Sequence, residues 1–99
     1  MDKLTGLLGI AVRAGQAVFG EDSCMKALRS GRCEVLLMDA AISETVRNKY
    51  TGICERGDVR YAILPEGTIE TATGHSGMAV VIRTGSLGDR IRDMIRPEN

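Results

Sequence analysis

Residues 33–41 read CEVLLMDAA, an apolar run of strand length with almost no polar alternation. A strand that alternates can turn one face to water; this one has no polar face, so it belongs in a sheet covered on both sides. The neighbouring segments supply the covers. Leu4, Leu7, Leu8, Ala11 and Val12 recur at the spacing of a helix with one apolar stripe, and Gly15 is placed to stop it. QAVFG is short and extended. A second helix begins after Gly20, with Ser23 or Asp22 expected to cap its first turn, and closes at Gly31. SETVRNKYTGICERG opens on a serine cap, sets Ile42, Val46, Tyr50, Ile53 and Cys54 along one stripe and ends at Gly57. VRYAIL and MAVVIR read as strands and PEGTIETATG holds at most a short helix; SLGDRIRDMIR is a last helix with Leu87, Ile91, Met94 and Ile95 inward. Strands alternating with helices imply crossover connections. The expected fold is α/β, a three-layer α/β/α sandwich around a four-stranded mixed, mostly parallel sheet.

Ninety-nine residues without a repeat, linker or low-complexity tract fit one domain, taken as residues 1–99. Only Phe19, Tyr50 and Tyr61 are aromatic, so the interior has to be built from aliphatic side chains, Met and Ala. No run approaches the roughly 18 apolar residues of a membrane span, and no membrane partner is expected. Cys24, Cys33 and Cys54 are odd in number and lack CxxC spacing, which reads as reduced thiols of a cytoplasmic protein. Thirteen Lys and Arg balance thirteen Asp and Glu, so bulk charge does not hold this chain to nucleic acid. The bases are concentrated at the ends: residues 1–33 carry five bases and three acids, residues 34–70 four and seven, residues 71–99 four and three.

Enzyme chemistry finds little footing. The single histidine, His75, has no third group to orient a cysteine–histidine pair, and Cys33 and Cys54 with His75 lack the close paired spacing of metal ligands. Glycine-rich nucleotide cradles are absent. A non-enzyme without cofactor, metal or small-molecule substrate is therefore expected.

GEDSCMK, residues 20–26, is the segment with most chemistry to offer. Asp22, Lys26 and Arg29 share one helix face away from Cys24 and Leu28. A plain surface helix with an Asp22–Lys26 ion pair worth ~0.3 kcal/mol accounts for this pattern. So does a binding surface, in which the free N–H groups of a helix start, reached closely past Gly20, receive a phosphate or base edge with Lys26 one turn behind. The loop GHSGM, with His75, Ser76 and Met78, is either a tight turn or a second contact segment beside Gly20.

The order of RAG, the glycine before a helix, KALRSG, an apolar strand, S..T, C...G and a final AVVI strand resembles the ribosomal protein L-seven-Ae / L-thirty-e family, especially its small bacterial members, over nearly the whole chain. That resemblance implies a non-catalytic protein that binds RNA kink-turns, sharp bends built on tandem sheared G·A pairs. In the family's better-known binders the helix start reads glycine, any residue, Asn, Glu, two residues, Lys. Gly20 and Lys26 match this pattern, while Asp22 and Ser23 replace the Asn and Glu. Asp only accepts hydrogen bonds and repels phosphates, which implies an altered contact there.

On this reading Lys26 meets a guanine edge, the N–H groups from Gly20 through Glu21 to Ser23 meet the bend, and Arg13, Arg29 and Arg32 touch flanking phosphates. His75 and Met78 belong to the second contact loop. The expected partner is structured RNA, kink-turn or ribosomal, bound by a monomer. The alternative is a protein-interaction or scaffold domain on the same fold, which the acids Glu21 and Asp22 would suit.

Overall fold

The computed structural model describes residues 2–96. Helix α1 (Lys3–Arg13) is capped by Asp2, whose carboxylate accepts from the Thr5 N–H at 2.8 Å. Strand β1 (Ala17–Phe19) leads through Gly20 into α2 (Glu21–Arg29), and β2 (Cys33–Asp39) follows. Helix α3 (Glu44–Arg56) starts on the expected serine, Ser43 accepting from the Val46 N–H at 3.3 Å. Strand β3 (Arg60–Leu64), short helix α4 (Thr68–Thr73), strand β4 (Ala79–Arg83) and helix α5 (Ser86–Met94) complete the order.

Both faces of β2 are covered, as its apolar run requires. Cys33, Leu36 and Met38 pack with Tyr61, Ala79 and Val81 against Cys24, Met25, Ala27 and Leu28 of α2 and Tyr50 and Cys54 of α3. Val35 and Leu37, with Ala62, Leu64, Val80 and Ile82, pack against Leu7, Leu8 and Ala11 of α1, Ile69 of α4 and Ile91 of α5. Two expectations about the helices fail, one of a face and one of a cap. Met94 is 40 % exposed, because α5 ends there and Ile95 turns to extended backbone. Helix α2 has no side-chain cap: its N-cap is Gly20 itself, so Asp22 and Ser23 fall inside the first turn.

The sheet order is β1-β4-β2-β3, and it is mostly antiparallel, not mostly parallel. Strands β2 and β3 pair in parallel, whereas β4 pairs antiparallel with both β1 and β2. Strands β1, β2 and β3 therefore share one direction, and the reversed strand lies between two of them. The connection before β4 stays at one end of the sheet: near its start the Gly67 N–H donates to the Asp39 carboxylate, at the end of β2, at 3.0 Å. The chain re-enters the sheet at the end where β3 left it, with the Asp39 N–H donating to Met78 O at 2.7 Å and Ala79 opposite Met38.

Candidate nucleic-acid interface

Gly20 turns the chain from β1 into α2 at φ +91°, ψ 139°, a backbone that side chains avoid, and the space around its missing Cβ is open. Glu21 and Asp22 follow in the first turn, where carboxylates suit the positive helix end, and Lys26 and Arg29 lie towards the other end. Every fourth or third residue anchors the helix: Cys24, Ala27 and Leu28 are buried, and the Cys24 thiol donates to Val18 O at 3.2 Å. This burial leaves Asp22, Ser23, Lys26, Arg29 and Ser30 outward. The Asp22–Lys26 ion pair does not form among the described residues; Glu21 instead pairs with Lys49 of α3 at 3.1 Å.

Lys26 and Ser30 make a ridge with a furrow on each flank. The flank towards α3 is lined by Asp22, Met25, Arg29 and Lys49. The other, towards β1 and β4, is lined by Val18, Ser23, Ala27, Arg32 and Arg83. At the helix start a third depression, of about 370 Å³, joins Gly20 and Glu21 to Gly77 and Met78 of the loop before β4 over an apolar floor of Ile42, Val46 and Tyr50. Burial, and after it the neighbouring Cys24, Glu21 and Asp22, push the Tyr50 phenol well above its ordinary value, so it stays neutral under this surface.

The loop is held beside Gly20 by ring stacking. His75 lies on Phe19 with centroids 4.0 Å apart and planes 10° from parallel. Its backbone N–H donates to Thr73 Oγ1 at 3.1 Å, and that hydroxyl donates to Ile69 O at 2.7 Å. Of the residues singled out in the sequence, Gly20, Glu21 and Met78 meet in one depression, His75 flanks it through Phe19, and Asp22, Ser23, Lys26, Arg29 and Arg32 line the furrows. Arg13 is not brought to them. It ends α1, on the opposite face of the sheet, with its guanidinium beside Gly9.

Sequence reading missed Arg83, Lys49 and Phe19. Arg83 was traceable: Ala79 and Val81 face α2, and the alternation of β4 carries its next odd position to the same side. Lys49 and Phe19 gave no such signal, since their partners Glu21 and His75 are 28 and 56 positions away along the chain.

No family model and no curated protein matches the chain. Among solved structures it is similar to a protein with unknown function from Bacillus halodurans C, at TM-score 0.87 and 19% identity over 94% of this chain and 96% of that one. At that identity the likeness shows the fold alone.

Proposed function

We propose that this protein binds structured RNA at a sharp bend, without catalysis, through the start of α2 and the loop 74–78. The observation that carries the reading is the meeting of two segments distant in sequence: the open backbone at Gly20 and the exposed Met78, 45 % accessible, edge the same depression, with Lys26 about one and a half helical turns behind. A bent RNA presents what such a surface can use, unstacked bases for the apolar floor and phosphates for N–H groups and cations. Lys26 reads a base edge, Arg29 and Arg32 hold the flanking backbone, and the bound bend is stabilised because the surface fits it better than it fits a straight helix.

The test is a titration with a kink-turn RNA and a straight duplex of equal length at two salt concentrations. Salt-sensitive preference for the bend is the expected result; equal or absent binding to both overturns the reading. The mainly apolar depression formed by Ile42, Val46, Tyr50 and Met78 also favours a second reading, a protein-interaction surface. Absence of RNA binding together with a Met78→Asp variant of unchanged fold that loses a protein partner would establish it.

A further inference from the structure

The two furrows beside α2 differ in a way that neither helical periodicity nor net charge reveals. The furrow towards α3 contains Asp22, and its Lys49 is engaged by Glu21. The cleft of about 530 Å³ towards the sheet contains no carboxylate. It is lined by the cations Lys26, Arg32 and Arg83 and by the hydroxyl-bearing Ser23 and Ser30. Among the described residues none of those three cations forms an ion pair. They come from the middle of α2, the turn before β2 and the end of β4, and the fold alone brings them together: Arg83 stands opposite Cys33, the neighbour of Arg32. Three like charges around one cleft in a chain of zero net charge repel one another, and an anion placed among them relieves that repulsion.

We propose that this cleft is a phosphodiester-binding track in which Arg83 and Arg32 hold the RNA backbone leaving the bend, extending the interface from the start of α2 along its sheet-facing flank. The inference rests on the RNA reading above and adds to it a second strand segment and a residue, Arg83, outside the helix. Two guanidinium groups offer forked donors to phosphate oxygens, and the two serines offer neutral ones. Because the contacts are to backbone, the track raises affinity for any RNA and contributes no preference for the bend.

The experiment measures affinity for the kink-turn RNA and the straight duplex across a salt series for wild type, Arg83→Gln, Arg32→Gln, Arg83→Lys and Arg90→Gln. Arg90 lies exposed on α5, on the other face of the sheet, and its variant loses the same charge away from the cleft. Arg83→Gln and Arg32→Gln should each weaken both RNAs about three- to tenfold and flatten the log–log salt slope by about 0.7–0.9. Arg83→Lys should keep the wild-type slope, and Arg90→Gln should match wild type. Arg83 is half-exposed at a strand end, and circular dichroism and a thermal melt verify that the variants fold. An Arg83→Gln protein with wild-type slope and affinity, or an Arg90→Gln protein that loses as much, overturns the track while leaving bend recognition standing. Equal wild-type affinity for both RNAs with the expected Arg83 effect overturns bend recognition and retains the track. Wild type that binds neither RNA overturns both.

Discussion

Asp39 is the buried charged side chain among the described residues, 3 % exposed at the end of β2. Its two oxygens accept from Ala41 N–H at 2.7 Å and Gly67 N–H at 3.0 Å, fastening two loops to the end of this central strand. Asp39→Ala strands both donors and should lower stability by about 2–5 kcal/mol in urea denaturation. At Gly20 the structure supplies a requirement independent of any ligand: φ +91° strains every side chain, so Gly20→Ala should cost about 1–3 kcal/mol of stability. Lys26 and Arg29 are therefore the cleaner probes of binding. Lys26→Ala should lose about 1–3 kcal/mol on a kink-turn and its preference over duplex, as for a lost base contact. Arg29→Ala should weaken both RNAs alike, and Asp22→Asn, removing a repelling charge, should raise affinity for the bend. Indistinguishable Lys26→Ala and Arg29→Ala proteins would reduce α2 to an ordinary surface helix. The thiols provide a pH test. Cys24, Cys33 and Cys54 are free and buried, and burial, with Glu55 beside it, pushes Cys54 from 9.0 up to about 11. A raised value means that the folded state holds the proton more tightly, so this stabilisation is intact below pH 9 and is lost towards pH 11. Urea midpoints should fall across that interval, and less steeply in Cys54→Ala.

Among the helices, glycine has opposite meanings in α1 and α5. A Cβ on Gly6 meets nothing within 4 Å, and Gly6→Ala should stabilise by about 0.5–1 kcal/mol through helix propensity. A Cβ on Gly88 would run into Arg83 O and lie 3.0 Å from Glu34 Cβ, so Gly88→Ala has to lift α5 from the sheet and should cost about 1–3 kcal/mol. Two thermal melts check the pair, and equal shifts in one direction would contradict it. Sequence periodicity located both helices, because a helical stripe is written within a dozen residues. It could not distinguish the two glycines, since the atoms that crowd Gly88 belong to β4 and β2. The cap of α2 was misplaced for a related reason. Asp22 and Ser23 are favourable cap residues, but the positive-φ step at Gly20 starts the helix earlier and leaves them within its first turn.

Across the whole molecule, β2 and β4 are central in the sheet and covered by helices on both sides, while β1 is a three-residue edge of half-buried positions. Native-state hydrogen exchange should find the amides of β2 and β4 the slowest and those of β1 markedly faster. Protection of β1 equal to that of β2 would contradict this order. The alternation of helices and strands and, through CEVLLMD, a sheet buried on both faces are legible along the chain, because side-chain periodicity and burial demand are properties of a local stretch. Where β4 inserts and in which direction it runs are not. That choice depends on contacts that tie the 65–78 connection to Asp39 at the end of β2 and on packing against strands far away in sequence. The same non-local step set loop 74–78 beside Gly20 and turned Arg83 towards α2, so the composition of the candidate interface, unlike its first helix, was written in the fold.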